Sequence, residues 1–288
     1  MIKAIELGGT LFLPATHKDI KCVVSGEKYP DLKSVLIDTE DSLDDLESGL
    51  EAIQTLLQTY KKSTLLVFIR PRNMEVLQEI LKFQNIHLIE GFILPKFSLD
   101  NARKYLYILA NTSYTIMPSI EGSELFEQPK LVELRDILLI HKEKIPLVRF
   151  GLEDMLRQLK MRRTCQESIF DFTVTSSVLG NFIGIFKSAG FDVSAGVYPC
   201  FKDKEGFIND VKRDLKEGLI SKTIIHPNQI EIINSLYKVN KKDYEEASEV
   251  CQNDALVFNQ NSKMAETKTM FAYSYALLQR AKIYGIKD

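Results

Sequence analysis

Along this chain, short runs of consecutive apolar residues rich in Val, Ile, Leu and Phe alternate with longer stretches whose apolar positions recur three and four apart. The short runs are Thr10 to Pro14, Ser34 to Asp38, Thr64 to Arg70, Gly91 to Leu94, Tyr114 to Ser119, Leu147 to Phe150, Val193 to Tyr198 and Thr223 to His226. They are apolar throughout rather than alternating, the pattern of parallel strands buried on both faces. The longer stretches read as amphipathic helices. Leu43 to Tyr60 carries Leu43, Leu46, Leu50, Leu56 and Leu57 on a helical stripe, with acids near its start to suit the helix dipole. Met74 to Lys82 and Leu131 to His141 follow the same pattern. The strand-to-strand spacing, roughly 25 to 45 residues, is the size of a βα unit. Eight such units predict an α/β fold, a (β/α)8 TIM barrel in preference to an open doubly wound sheet. From Lys241 onward no strand-like run is found, so the expected organisation is a barrel over residues 1–238 and a C-terminal helical extension over 239–288.

Composition narrows the class further. With 45% apolar and 26% charged residues in 288, the chain is neither disordered nor a disulfide-stapled scaffold. Its 37 basic and 39 acidic side chains leave a net charge of −2, so no electrostatic footprint for nucleic acid or an anionic membrane exists. No stretch of about 18 apolar residues predicts a membrane span. The start, MIKAIELGGTLFLPATHKD, has a short apolar run closed by Pro and charge and does not read as a signal peptide. Cys22, Cys165, Cys200 and Cys251 stand far apart, with no CxxC pair and no His at zinc spacing; they read as free thiols of a reducing compartment, and a cytoplasmic location is expected. Gly8-Gly9-Thr10 lacks the spacing and the Lys of a phosphate loop, which argues against a nucleotide site.

In a barrel the chemistry sits at the C-terminal strand ends. The second run ends Asp38-Thr39-Glu40-Asp41, either a helix start with acids in its first turn or the rim of a cation or substrate site. The third ends Arg70-Pro71-Arg72; an arginine there must face a carboxylate, either Asp38 or Glu40 of the chain itself or one belonging to a ligand. Glu121 and Asp154 follow the fifth and sixth runs, two hard oxygen donors of the kind Mg2+ uses while keeping water and substrate ligands. Acids after strands are also common helix caps. Lys96 offers an amine for a Schiff base or, more plainly, an ion pair with the acidic rim. His226 before Pro227 reads first as a turn residue, and His17 and Lys18 as an exposed loop placed to meet an anionic tail.

In order, the segments LFLPATHKD, SVLIDTEDSL, VFIRPRN, GFILPKF, IMPSIEGSELF, VRFGLEDML, AGVYPCFKDKEGF and SKTIIHPNQI resemble the citrate lyase beta subunit family within the wider HpcH/HpaI aldolase group, over about 220 residues. The resemblance implies a TIM barrel, commonly trimeric, that uses Mg2+ to cleave or form a carbon–carbon bond beside a carbonyl. Its partners would be a small carboxylic or keto acid, with coenzyme A as a candidate carrier of an acyl thioester. By position it implies Glu121 and Asp154 as metal ligands. Arg70 would hold a substrate carboxylate and a developing enolate, Glu40 and Asp41 would join it in catalysis, and Asp38 and Lys18 would contribute to substrate binding. Gly9-Thr10 stand where many relatives carry an arginine, and Glu266 stands near the place of a tail aspartate that reaches a neighbouring site in longer relatives. The competing reading is a non-catalytic or regulatory barrel that binds a small keto acid in a stress-response assembly of the tellurite-resistance type.

Overall fold

The computed structural model describes residues 2–288, arranged as two compact units, Met1–Ile230 and Glu231–Asp288. The first is built on eight parallel strands: β1 (Thr10–Pro14), β2 (Ser34–Asp38), β3 (Leu66–Arg70), β4 (Gly91–Leu94), β5 (Thr115–Ile120), β6 (Leu147–Phe150), β7 (Asp192–Val193) and β8 (Thr223–Ile224). They pair in the order β7-β6-β5-β4-β3-β2-β1-β8. A single parallel bridge between Ser194 and Ile220 joins the two ends of this order and closes the ring. This is the TIM barrel that the apolar runs predict.

Alternation along the strands decides what fills the barrel. Leu36, Phe68, Ile93, Met117 and Leu147 pack together with Phe12 in its interior. Two residues further along each strand the same face carries Asp38, Arg70, Ser119 and Arg149. An apolar plug therefore supports a polar layer at the C-terminal end, and the register sets Asp38 beside Arg70 and Ser119 beside Arg149.

Local chemistry trims the expected elements. The helix expected from Leu43 spans Leu46–Thr59 because the Asp45 side chain accepts the Glu47 and Ser48 N–H groups and fixes its start. The helix expected from Leu131 begins earlier, at Gln128, with Pro129 in its first turn, where a missing N–H costs nothing. β7 and β8 are shorter than their apolar runs because side chains take over the backbone groups beyond them. Arg163 donates to the Val197 carbonyl and Gln229 to that of Tyr198, while Gln229 Oε1 accepts from the Ile225 and His226 N–H groups. Across this short-stranded seam Lys222 supplies a side-chain tie. Its Nζ donates to the Gly196 carbonyl at 2.8 Å and to Asp210 and Asp214 at 2.6 Å each, and Arg163 completes the buried cluster on Asp210 at 2.9 Å.

Two expectations are corrected. Cys165 and Cys200 are not free thiols but form a disulfide, their Cα atoms 5.8 Å apart; Cys22 and Cys251 are free. The pair lies 35 residues apart in sequence, Cys165 after the helix Leu152–Gln158 and Cys200 in the loop after β7, and no sequence spacing announces a contact between these segments. The tail is also not purely helical. In the second unit, Lys241–Gln252 and Thr267–Tyr284 are helices, but β10 (Val257–Gln260) and β11 (Lys263–Glu266) form an antiparallel hairpin, and β9 (Val239–Asn240) pairs in parallel with β12 (Ile286–Lys287). The hairpin turns on Asn261 and Ser262, both in the left-handed region, the conformation that a two-residue connection requires. Val239, Ala247, Leu277 and Ala281 form this unit's own core. No helix among the described residues is long and apolar enough to cross a membrane.

Candidate active site

The polar layer and the loops just above it gather most of the residues named from the sequence. Arg70, at the end of β3, is held from two sides by the end of β2. Its Nε and Nη2 donate to Asp38 at 2.6 and 2.8 Å, and its Nη1 lies 2.9 Å from Glu40. Asp41, largely exposed, stands 3.7 Å away. Arg72 fixes the backbone of this acidic loop by donating to the carbonyls of Thr39 and Leu43. Burial raises the Asp38 carboxyl, but the hydrogen bonds and charge of Arg70 more than reverse it and hold it below the usual carboxylate range. For Glu40 burial wins: despite Arg70 and Lys96 its carboxyl is raised. Of the two alternatives for Arg70, the protein's own carboxylates occupy its guanidinium.

Lys96, in the loop after β4, closes the cluster. Its Nζ donates to Glu40 at 2.7 Å and lies 3.6 Å from Asp41. These acids raise the ammonium against the opposing effect of burial, so the amine is held protonated, the wrong state for a Schiff-base nucleophile. Its backbone adopts a left-handed conformation, φ 46°, that aims the N–H at Glu121 Oε1, 2.6 Å away. The side chain thus makes the ion pair with the acidic rim that was one of its two readings, while the backbone N–H of the same residue positions the carboxylate expected to bind metal.

Glu121 is buried where β5 ends. It accepts from the Lys96 N–H and from Ser119 Oγ at 3.1 Å, and among the described residues no cationic side chain pairs with it. Burial, together with the charges of Asp154 and Glu40, pushes its carboxyl up to about 7. Its backbone room comes from Gly151 on the adjacent strand end, where a Cβ would lie 2.2 Å from Glu121 Cβ. Asp154, in the first turn of the helix Leu152–Gln158, is partly exposed and pairs with Arg157 at 2.5 Å. Among the described residues no group of three or more His, Cys, Asp or Glu side chains is placed to hold a metal ion. A cation here would therefore rest on Glu121 and Asp154 and take its other ligands from water and substrate. The desolvated Glu121 carboxylate, hydrogen-bonded but without a cation, fits that role, because a divalent ion would supply the positive charge that the fold withholds.

Arg149, not singled out from the sequence, lies in the same layer and is 3% exposed. Its Nη2 donates to Thr223 Oγ1 across the barrel at 2.5 Å, while Nη1 is buried with no hydrogen-bond partner. The guanidinium stands 5.4 Å from the Phe12 ring, as does that of Arg70. Burial and the nearby Arg70 push it down to about 9, against a smaller pull from Glu121. Counting two residues on from the buried Leu147 would have placed it on the interior face. The other expected residues have surroundings of their own. Lys18 is exposed in the loop after β1. His17 and His226 accept from the N–H groups of Asp19 and Asn228, and His226 stacks on Phe201. Glu266 precedes the last helix of the second unit and accepts a hydrogen bond from Thr269.

An eight-stranded parallel barrel with an acid-rich C-terminal mouth defines a class of protein, and comparison gives that class a family. The profile of the family described as "C-C_Bond_Lyase of the TIM-Barrel fold" matches residues 1–286, so the chain belongs to this family of carbon–carbon bond lyases. Among curated proteins, citrate lyase subunit beta of Escherichia coli (strain K12) is 25% identical over 153 residues, 51% of this chain and 49% of that protein. The Haemophilus influenzae subunit is 28% identical over 148 residues, 49% of this chain and 48% of its own length. The (3S)-malyl-CoA thioesterase of Cereibacter sphaeroides (strain ATCC 17029) is 34% identical over 62 residues, 22% of each chain. The chain thus spans about half the length of the citrate lyase subunits it matches. Among solved structures, a citrate lyase from Burkholderia xenovorans LB400 superposes with a TM-score of 0.76 at 16% identity, covering 100% of this chain and 95% of that one. CitE of Mycobacterium tuberculosis, in complex with magnesium, acetoacetate and coenzyme A, gives 0.70 at 16% identity, over 97% and 99%. At such identities the likeness establishes the fold.

Proposed function

We propose that the protein is a Mg2+-dependent lyase or aldolase acting on a small hydroxy-dicarboxylate or its acyl thioester, in the manner of citryl-CoA or malyl-CoA lyases. The observation that carries this reading is Glu121, a buried carboxylate without a cationic partner, set on the strand end adjacent to that of Asp154. Relatives in the family cleave carbon–carbon bonds, and the Mycobacterium tuberculosis neighbour was captured with magnesium, a keto acid and coenzyme A. Mg2+ held by Glu121 and Asp154 would supply Lewis acidity toward a substrate carbonyl oxygen. The residues around it do the rest. Arg70, oriented by Asp38 and Glu40, would offer to a substrate oxygen the N–H groups that these acids leave free. Glu40, its proton affinity raised by burial, is placed to hold or return a proton, with Lys96 and Arg70 fixing its orientation. Trimeric assembly, a cytoplasmic location and coenzyme A as carrier belong to this reading through the family.

The test is ligand-dependent melting and turnover. Mg2+ is expected to raise the melting temperature, more so with oxaloacetate or pyruvate, and Glu121→Gln to abolish the response. Citryl-, malyl- and methylmalyl-thioesters are expected to release a keto acid. An unchanged Mg2+ response in the variant would overturn the metal assignment. One observation favours a second reading, a non-catalytic barrel that binds a keto acid: the guanidinium of Arg70 is already taken up by Asp38 and Glu40. Binding without turnover across that panel would support it.

A further inference from the structure

Ion pairing in the polar layer leaves two buried charges over. Arg70, Lys96 and Arg157 are matched by Asp38, Glu40, Asp41 and Asp154, whereas Glu121 has no cation and Arg149 no acid within ion-pair distance among the described residues. The first belongs to the reading above. The second is unexplained by it, and also by packing, since Leu147 and Met117 fill the interior below with hydrocarbon alone. A guanidinium stays protonated at neutral pH, so Arg149 is a permanent positive charge held away from water. One Thr hydroxyl, one aromatic face and the pull of Glu121 from beyond ion-pair distance are weak compensation for a buried ion. Folds tolerate such an uncompensated charge where a ligand completes it, and fixed charge in a desolvated site acts far more strongly on an anion than the same charge in water.

We propose that Arg149 is a positioning and selectivity residue, whose acid-free guanidinium inside the barrel commits the mouth to small anionic substrates by supplying the positive charge that Arg70 spends on its own carboxylates. The anion class is a compact oxo acid or its dianion. Arg149 acts through the field it sets up beside Phe12 and Arg70, and through the Thr223 contact that fixes its orientation. The lyase reading supplies the identity of the anion, whereas the anion preference itself stands on the charge arrangement alone.

The test compares wild type, Arg149→Lys and Arg149→Met by calorimetric titration with oxaloacetate, oxalate and, as a neutral control, acetone, each with and without Mg2+, alongside melting curves of the free proteins. Arg149→Met is expected to weaken oxalate and oxaloacetate binding roughly tenfold or more, to leave the free protein equally or more heat-stable, and to be rescued substantially by Arg149→Lys. Equal anion affinity in wild type and Arg149→Met would overturn the inference while leaving the lyase reading intact. Loss of stability in Arg149→Met with no rescue by lysine would assign a structural role and overturn it likewise. Anion binding that needs Arg149 but not Mg2+ would support it, the metal assignment being decided separately by the Glu121→Gln response. A wild type that binds neither anion under any condition would overturn both.

Discussion

Asp38 shows how one side chain carries both stability and preorganisation. Its carboxylate is 4% exposed and takes two hydrogen bonds from Arg70, so removing its charge leaves a guanidinium without its main partner. Asp38→Asn is expected to cost about 3 kcal/mol at neutral pH, measured by urea unfolding. The folded carboxyl is held below its usual range. Its stabilising contribution is therefore complete above the unfolded value of about 4 and is lost as pH falls through the lowered folded value. The gap between wild type and Asp38→Asn should narrow progressively as pH falls below about 4; a gap that stays constant down to acid unfolding would show that the pair is not the source. Arg70, Asp38 and Glu121 were legible in the sequence because a charged residue ending an apolar run is conspicuous. Arg149 was not, because it sits inside such a run, one residue before Phe150, and only the interior-facing period exposes it. The engagement of Arg70 by its own neighbours was one of two readings open from sequence, and register, which pairs Asp38 with Arg70, decides between them.

At the scale of elements, apolar runs located all eight strands, since a strand buried on both faces writes itself into consecutive residues. What sequence could not give was where the last two stop, because their ends are set by Arg163 and Gln229, side chains distant in the chain that capture the backbone. The hairpin Val257–Gln260 and Lys263–Glu266 escaped for the opposite reason: it is mostly exposed, and the short apolar stretch from Ala255 to Phe258 that opens it gives way at once to polar residues. The disulfide that joins the segment after the helix Leu152–Gln158 to the loop after β7 has a measurable consequence. It closes a loop of 35 residues, for which chain entropy predicts about 3–4 kcal/mol. The double variant Cys165→Ala/Cys200→Ala is expected to unfold at lower denaturant by about that free energy. An unchanged midpoint, or wild-type protein indifferent to reductant, would show that the cross-link adds nothing.

For the whole molecule, the eight joins of the ring are unequal. β1 and β2 share five residue pairs in register, as do β2 and β3, whereas β7 and the approach to β8 share one bridge. The Lys222 cluster stands in for the missing ladder, and its parts depend on charge: burial raises the Asp214 carboxyl, and the two aspartates hold the Lys222 ammonium protonated against burial. Lys222→Met should cost about 3–5 kcal/mol and, in native-state hydrogen exchange, release the amides of Ala195 and Ile220 ahead of those in β1 to β3. Uniform loss of protection would instead mean that the ring opens as one. The barrel then behaves as a seven-join sheet fastened by a clasp, and the clasp is where a circularly permuted chain could begin and end with the least disturbance to the rest. Such a permutant, retaining the polar layer of Asp38, Arg70 and Glu121 on strands it leaves joined, would keep the mouth of the barrel while giving up the Lys222 tie.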